Sequence, residues 1–276
     1  MSAYLGNPAL IYEGPDWLPE PRAPLILIHD GGGTTFSYHC LDPTNRPLWG
    51  VENARLHEGG WWEGGIPEMA RHYIDLIGKA LPNGGEIILG GWSLGGILSL
   101  EMAHQIATDK DLRPKFTVLG IVMVDSLLPP PRGTPATDTT QKPQELGRVT
   151  DRTPDEIRAL DLKAKVDVNM THARRMVARW EPPRWKKAAA GPVLRPPPTI
   201  LLRANEAVDG PTPSFADFAR GDRMLGWGWY NEENGRFLRG VVDIQGHHFS
   251  VFKDEYIEDI TAKICEAANK LEDEYY

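Results

Sequence analysis

Short runs of apolar residues recur along the chain, and each of them ends at a turn or a loop. Unbroken apolar runs of this kind are typical of strands that are buried on both faces of a parallel sheet. They predict strands over residues 24–29, 48–51, 86–89, 116–124, 199–203 and 239–244, with a further edge strand over residues 10–12.

Stretches with apolar residues at helical spacing lie between these strands. In residues 66–81 the apolar positions Met69, Tyr73, Ile77 and Leu81 follow one another at intervals of four residues, which predicts an amphipathic helix. The other predicted helices begin at residue 94 and cover residues 154–164, 166–180 and 254–271. Strands that alternate with helices predict an α/β fold with a mostly parallel sheet and right-handed crossovers.

Residues 127–198 interrupt this alternation. The segment contains no apolar strand, and it is rich in Pro and Thr over residues 129–141 before it becomes helical. Long insertions in compact domains are usually functional, and we interpret this one as a helical lid over the sheet. The whole chain, residues 1–276, is then one α/β domain that carries the lid. For Trp180 and Trp185 we expect a packing role before a role in lining a substrate site.

A strand, a sharp turn and a helix are predicted over residues 86–102, with Ser93 at the turn. The residues two before and two after a serine on such a turn crowd each other unless they are small, and here they are Gly91 and Gly95. The strained turn exposes the serine hydroxyl. It also starts a helix at Leu94, whose free backbone N–H faces the place where an oxyanion forms. Ser93 is therefore a candidate nucleophile, and the N–H of Leu94 is a candidate oxyanion donor.

Three glycines follow the buried strand that ends near His29. A phosphate-binding loop is excluded because no G-K-[ST] follows and no dinucleotide-binding pattern fits. In G-x-S-x-G hydrolases the second oxyanion donor comes from the loop after this strand, where the backbone must approach a ligand closely. We choose the N–H of Gly31 as this donor, with Gly32 as a near rival.

A serine hydroxyl needs a histidine to take its proton, and the chain order of such sites is serine, acid, histidine. Four histidines follow Ser93. His104 is predicted on the helix behind the serine and His172 in the lid, so both are expected to be structural or exposed. The base is therefore expected at His247 or His248, after the last strand, and sequence reasoning alone does not separate these two.

The acid that orients the base is expected at the carboxyl end of another strand. Asp125 directly follows the strand over residues 116–124, and Glu206 follows the next strand in the same way. Asp209 is a weaker alternative. We prefer Asp125, although an aspartate before a serine and several prolines also suits a turn cap.

The composition of the chain bears on which kinds of partner it binds and on the cellular compartment in which it is expected. The formal net charge is −8, which argues against general binding to nucleic acid or to an anionic membrane. The only two cysteines, Cys40 and Cys265, provide no disulfide framework. The sequence contains no apolar run long enough to span a membrane, and its first residues do not show a basic start followed by an apolar core, so we expect no secretory leader. A reducing, cytoplasmic location is the simplest expectation.

Basic residues are concentrated in one part of the predicted lid. Arg174, Arg175, Arg179, Arg184, Lys186, Lys187 and Arg195 accompany a single acid, Glu181. Each of them alone is most simply a solvated surface residue. As a group in an acidic protein they are a candidate surface for an anionic partner.

With these residues in place, the sequence resembles the thioesterase family that is found at the ends of fatty-acid, polyketide and nonribosomal peptide synthetases and as their free-standing partners. The resemblance covers roughly residues 24–265 and excludes the lid. It is carried by Gly91-Trp92-Ser93-Leu94-Gly95-Gly96, Val124-Asp125-Ser126, His29-Asp30-Gly31-Gly32-Gly33 and Gly246-His247-His248-Phe249. One departure is Asp30, since relatives commonly have a proline at this position.

The resemblance implies an α/β-hydrolase fold and a serine mechanism without a cofactor or a metal ion. Its terminal G-x-H-F pattern implies that His248 is the base. In the integrated members of the family the acid follows the strand after the nucleophile, which corresponds to Asp125. In many editing members the acid follows the next strand, which corresponds to Glu206. It also implies that an acyl, polyketide or peptidyl chain is released, by hydrolysis or cyclisation, from the phosphopantetheine arm of a carrier protein. Carrier proteins are typically acidic, so the basic lid residues would be the docking surface.

Two other functions use the same residues or the same fold. A carboxylesterase or lipase would apply the triad to oxoesters, and a binding scaffold would use the fold without covalent chemistry. The intact set of serine, histidine and glycines argues against the scaffold. The acyl chain, the fate of the acyl-enzyme and the oligomeric state do not follow from the sequence.

Overall fold

A seven-stranded sheet forms the centre of the computed structural model, which describes residues 6–18, 21–129, 148, 152–185, 194–210 and 214–276. The strands are β1 (Ala9–Tyr12), β2 (Leu25–Ile28), β3 (Leu48–Val51), β4 (Gly85–Trp92), β5 (Phe116–Val124), β6 (Thr199–Ala204) and β7 (Leu238–Ile244). Their order in the sheet is β1-β3-β2-β4-β5-β6-β7. Only the edge strand β1 is antiparallel to its neighbour, and all other pairs are parallel. The predicted α/β class is confirmed.

Helices cover both faces of this sheet. They are α1 (Phe36–His39), α2 (Gly65–Ala80), α3 (Leu94–Thr108), α4 (Pro154–Arg158), α5 (Leu162–Arg179), α6 (Gly228–Glu233) and α7 (Ile257–Asp273), with short 3-10 helices at Leu56–Glu58 and Asp254–Tyr256. The core on one face is formed with α2, α3 and α5, and the core on the other face with α7. No described helix combines the length and the apolar content that crossing a membrane requires.

The predicted strands and long helices are present, with ends that differ by a few residues. The largest differences are in the predicted lid, where α4 ends at Arg158 rather than at residue 164 and α5 begins at Leu162 rather than at residue 166. Strand β4 runs on through Gly90 and Gly91 to the residue before Ser93. Pattern reasoning missed α1 and α6. With four and six residues, both are too short to show helical periodicity.

The segment predicted as a lid contains α4 and α5 and no strand among its described residues. Most of the Pro- and Thr-rich part, together with Lys186 and Lys187, lies outside the described residues. Helix α5 is fastened to the body of the protein by buried polar side chains. Asn169 donates to the carbonyl of Leu56, and the ring of His172 contacts the carbonyl of Gly59 at 2.6 Å. His172 is therefore structural, as predicted.

A buried arginine fastens the C-terminal helix α7 to the start of β2. Arg46 has no exposed surface, and its guanidinium donates to the carbonyl of Ala23 at 3.0 Å and to the Glu272 carboxylate at 3.1 Å. Glu272 in turn accepts the N–H of Ala23 at 2.8 Å. Because Arg46 is fully desolvated, removing its partners or its charge leaves buried polar groups without compensation.

We expect Arg46→Met to lower the free energy of unfolding by about 3 kcal/mol, since it breaks a buried ion pair. The measurement is urea unfolding followed by circular dichroism. Arg158→Met is the matched control, because Arg158 pairs with Glu58 at the surface and exposed pairs contribute little. Equal unfolding midpoints for the two variants would contradict the role given to Arg46.

Candidate active site

The predicted site residues all lie at the carboxyl edge of the sheet. Ser93 follows β4, Asp125 follows β5, the glycine loop follows β2 and His248 follows β7. Parallel strands bring their carboxyl ends to one edge, so loops that are far apart in sequence meet there. The site is therefore built from four loops on one rigid sheet.

Ser93 sits at a strained turn between β4 and α3. Its φ is 55°, in the left-handed region that non-glycine residues rarely occupy. A Cβ on Gly91 would lie 2.8 Å from Cα of Gly95, and one on either glycine would collide with the carbonyl of Ile28. Only glycine fits at these two positions, and this close packing holds the serine at the corner.

Leu94 is the first residue of α3. The first N–H groups of a helix have no acceptor within the helix, and the helix dipole adds partial positive charge there. The N–H of Leu94 is therefore available beside the serine, where the sequence predicted an oxyanion donor.

His248 and Asp125 form a buried pair. His248 Nδ1 lies 2.8 Å from Asp125 Oδ2, and both side chains are buried. A carboxylate can only accept, so Nδ1 carries the proton and Nε2 is left to take one. No hydrogen bond joins Ser93 Oγ to His248 among the described residues. Such bonds are often long in enzymes without substrate and shorten when it binds.

The competing candidates lie elsewhere. Glu206 and Asp209 are exposed, and neither is hydrogen-bonded to His248 among the described residues. The ring of His247 accepts the N–H of Phe249 at 3.2 Å, and the backbone N–H of His247 donates to Ser250 Oγ at 2.8 Å. His247 thus belongs to the turn that carries His248, whereas the ring of His248 contacts Asp125.

Arg220 clamps the acid from the other side. Its guanidinium donates to both oxygens of Asp125, at 2.7 Å and 2.8 Å, and the N–H of Ala204 donates to Oδ1 at 2.9 Å. Burial alone would raise the pKa of Asp125, but the hydrogen bonds and charges of Arg220 and His248 lower it to about 2. Because this pKa is lowered, the Asp125 carboxylate stays charged as the pH falls, until the pH approaches about 2. The hydrogen bonds from Arg220 and Ala204 hold the carboxylate in the orientation in which it faces His248 Nδ1.

The glycine loop has one free N–H. The N–H of Gly32 donates to Asp30 Oδ1 at 3.1 Å, and that of Gly33 donates to the Asp30 carbonyl at 3.1 Å. Among the described residues, Gly31 is the one glycine of the three whose N–H has no hydrogen-bond partner. This geometry favours Gly31 over its rival Gly32 as an oxyanion donor.

His29 supports this loop from below and is neutral. Burial lowers its pKa to about 4, against the opposing effect of its hydrogen bond to the Asp30 carbonyl. A carbonyl only accepts, so Nδ1 donates to it. Nε2 accepts the hydroxyl of Tyr73 at 2.6 Å. His29 therefore holds the loop in place rather than exchanging protons.

Helix α5, in the segment predicted as a lid, lies directly over the glycine loop. Cβ atoms built on Gly31, Gly32 and Gly33 would lie 2.7 Å from Met170 Sδ, 3.0 Å from Val166 Cγ1 and 3.0 Å from Asn169 Oδ1. These contacts come from one face of the helix, at intervals of three and four residues. The absence of side chains on the loop is thus what allows α5 to cover it.

Aromatic rings and an arginine border the base. Phe215 lies 6.1 Å from the His248 ring and 5.7 Å from Phe249, and both phenylalanines are partly exposed. Arg174 of α5 places its guanidinium 4.2 Å above the Phe215 ring, a cation–π contact. This rim of Arg174, Phe215 and Phe249 joins the lid to the base.

A separate cavity of about 560 Å³ lies between the end of α5 and α6. Trp180, Trp185, Trp229 and Tyr230 line it, whereas Ser93 and its partners do not. The indole N–H of Trp180 donates to Glu101 and that of Trp185 to the Tyr230 hydroxyl. Both tryptophans therefore pack in the structure, as predicted, and the catalytic groups lie outside this cavity.

Sequence reasoning missed Arg220 and Tyr38. The Tyr38 hydroxyl donates to the Ile28 carbonyl at 2.6 Å and accepts the N–H of Trp92 at 2.9 Å, which ties β2 to the residue before Ser93. Neither residue lies in a motif, and the Asp125 carboxylate that Arg220 contacts is 95 residues away in the sequence. No described group of three or more His, Cys, Asp or Glu side chains is arranged to hold a metal ion.

Comparison with known proteins assigns the family. A family model described as a thioesterase domain matches residues 23–264. The chain is 38% identical over 275 residues to thioesterase frbE of Dothideomycetidae sp., with 97% of each chain covered. It is 34% identical over 276 residues to the probable thioesterase gloN of Glarea lozoyensis, with 91% of each covered.

Solved structures agree with this assignment. The NocB thioesterase domain from the nocardicin cluster is 26% identical, with a TM-score of 0.58 over 91% of this chain and 96% of that one. YbtT, a type II thioesterase from the yersiniabactin pathway, has a TM-score of 0.57 over 97% of this chain at 13% identity, which shows a shared fold. The protein thus belongs to the thioesterase family, and it is a hydrolase with the α/β-hydrolase fold.

Proposed function

We propose that the protein is a serine thioesterase that releases an acyl, polyketide or peptidyl chain from the phosphopantetheine arm of a carrier protein, by hydrolysis or by cyclisation. The observation that carries this proposal is the buried hydrogen bond of 2.8 Å between His248 Nδ1 and Asp125, at the same sheet edge as the strained Ser93 turn. The thioesterase relatives support a thioester as the substrate bond.

In the first half-reaction Ser93 Oγ attacks the thioester carbonyl carbon while its proton moves to Nε2 of His248. The carbonyl oxygen becomes an oxyanion that accepts from the N–H groups of Gly31 and Leu94. Asp125 orients the imidazole and stabilises its charged form. The C–S bond then breaks, the proton passes from His248 to the leaving sulfur, and an acyl ester on Ser93 remains.

In the second half-reaction His248 takes a proton from water, or from a hydroxyl or amine of the acyl chain itself. The resulting nucleophile attacks the acyl carbon, and Ser93 leaves with the proton. Water gives the free acid and an internal nucleophile gives a ring. The cover that α5 places over the glycine loop would influence this choice by limiting the access of water.

The carrier protein is proposed to dock on the basic lid residues. Arg174, Arg184 and Arg195 are exposed, and Arg174 also belongs to the rim beside His248. An acidic carrier that approached this side would meet complementary charge and bring its arm to the site.

We expect Ser93→Ala to reduce turnover of an acyl pantetheine thioester by about 10⁴-fold or more, because no covalent intermediate can form. Wild type and variant are compared on matched thioester and oxoester substrates, with products identified by mass spectrometry. Preference for the thioester supports the proposal. Equal or faster oxoester turnover would instead indicate a carboxylesterase, and turnover that survives the substitution would refute the serine mechanism.

We expect Arg220→Met to lower kcat by roughly 10- to 100-fold with little change in KM, because His248 loses its fixed orientation. Arg223→Met is the control: this residue lies three positions further on and pairs with Asp243 at the surface. Steady-state kinetics on the thioester separate the two parameters. An effect confined to KM, or one shared by the control, would argue against the clamp.

We expect Arg174→Glu to raise KM for an acyl-carrier protein about 5-fold, since a rim charge acts mainly on association. Its kcat/KM for a free acyl pantetheine should change much less. Arg113→Glu is the control, because Arg113 is exposed at the opposite edge of the sheet, before β5. A carrier-specific effect that disappears at high salt supports docking on the lid. Equal effects on both substrates would contradict it.

A further inference from the structure

Asp30 is a carboxylate inside the active-site loop that the proposed mechanism does not use. It occupies the position between His29 and Gly31, is partly buried, and directs Oδ1 at the N–H of Gly32. The charge of His248 acts on it, so the carboxyl group lies within electrostatic range of the base. The site therefore contains two carboxylates, of which only Asp125 is hydrogen-bonded to the histidine.

Asp30 is also the centre of the hydrogen bonds of the loop. Its backbone carbonyl accepts the N–H of Gly33 and Nδ1–H of His29, and its carboxylate accepts the N–H of Gly32. Two of the three glycine N–H groups thus point back at Asp30. The remaining N–H, on Gly31, has no hydrogen-bond acceptor among the described residues.

We propose that Asp30 is a positioning residue for the oxyanion hole: by accepting the N–H of Gly32 it withdraws that donor and orients the N–H of Gly31 toward the substrate carbonyl. This proposal rests on the proposed function, which assigns Gly31 and Leu94 as donors. Asp30 would then determine which of the two neighbouring glycines donates to the oxyanion. A loop without this acceptor could direct either N–H, or neither, at the substrate carbonyl.

The lid helix keeps this arrangement from relaxing. Val166 lies against Gly32 and Met170 against Gly31, so apolar side chains close the loop from above. Water is thereby hindered from replacing Asp30 as the acceptor of the Gly32 N–H. A hydrogen bond to a charged acceptor is stronger than one to a neutral group, and a partly desolvated site strengthens it further.

Protonation of Asp30 weakens the same hydrogen bond. Burial raises its pKa to about 6, against the lowering effects of the Gly32 N–H and the charge of His248. The other titratable groups near it are neutral: the pKa of His29 is lowered to about 4, and that of Tyr38 on α1 is raised by burial. Among the described contacts α5 faces the loop with Val166 and Met170, which carry no charge. Protonation turns the carboxylate into a neutral acceptor, so we expect activity to decrease by up to about 5-fold as the pH falls through this value.

Asp30→Asn and Asp30→Ala separate hydrogen-bond acceptance from simple packing. The asparagine keeps an oxygen that accepts from Gly32 but does not titrate, whereas alanine removes the acceptor. We expect Asp30→Ala to lower kcat for an acyl pantetheine by about 10²-fold with KM nearly unchanged, in the range of losing one oxyanion donor. Asp30→Asn should stay within about 5-fold of wild type at mildly alkaline pH, because a neutral acceptor keeps most of the geometry.

The pH profile gives a second readout that a merely structural residue would not change. The plot of log kcat/KM against pH for the wild type should therefore contain a step of up to about 5-fold near pH 6, where Asp30 gains a proton and becomes a neutral acceptor. In Asp30→Asn this step should be absent, because the titrating carboxyl group has been removed. Thermal unfolding of each variant shows whether it is folded.

Three results would overturn the proposal: wild-type kcat in Asp30→Ala, an equal loss in Asp30→Asn and Asp30→Ala, or a step near pH 6 that persists in Asp30→Asn. If Asp30→Ala unfolds, the pH profile and kcat of Asp30→Asn still decide. Failure of the proposed function has a different signature, because wild type itself would then not turn over the thioester. In that event labelling of Ser93 by a fluorophosphonate provides the comparison, and we expect slower labelling of Asp30→Ala than of Asp30→Asn.

Discussion

The contact on which the site depends is the close approach of the Ser93 turn to the carbonyl of Ile28. Gly91 and Gly95 both lie against this oxygen, where a Cβ would collide with it, so β2 and the start of α3 are in direct backbone contact. The approach forces Ser93 to a φ of 55°. It also sets the glycine loop, which continues from Ile28, beside the first N–H of α3. The proposed nucleophile and the proposed oxyanion donors are therefore parts of one packing arrangement.

Two carboxylates in this small space are held in different states by their surroundings. Asp125 has two positively charged or proton-donating neighbours, Arg220 and His248, and its pKa is lowered to about 2 despite burial. The Asp30 carboxylate has backbone N–H donors but no arginine partner among the described contacts, so burial dominates and raises its pKa to about 6. Environments that separate two pKa values commonly divide roles between acids. We propose that one acid orients the base and that the other orients the loop.

Local patterns were sufficient to predict most of the fold and the position of the site. Apolar runs located the strands, the glycines around Ser93 identified the turn, and the strand ends placed Asp125 and His248 at one edge. The choices between Asp125 and Glu206, and between Gly31 and Gly32, depended on where side chains and N–H groups point, which spacing does not encode. Arg220 and Tyr38 could not be predicted, because their partners are set only by tertiary packing.

The most direct test is a crystal structure of the protein after reaction with a fluorophosphonate, whose tetrahedral phosphorus resembles the acyl-transfer intermediate. We expect a phosphonyl group on Ser93 Oγ, with its oxygen within hydrogen-bond distance of the N–H groups of Gly31 and Leu94. His248 should still be hydrogen-bonded to Asp125. An oxygen that instead faces Gly32, or an adduct on another residue, would contradict it.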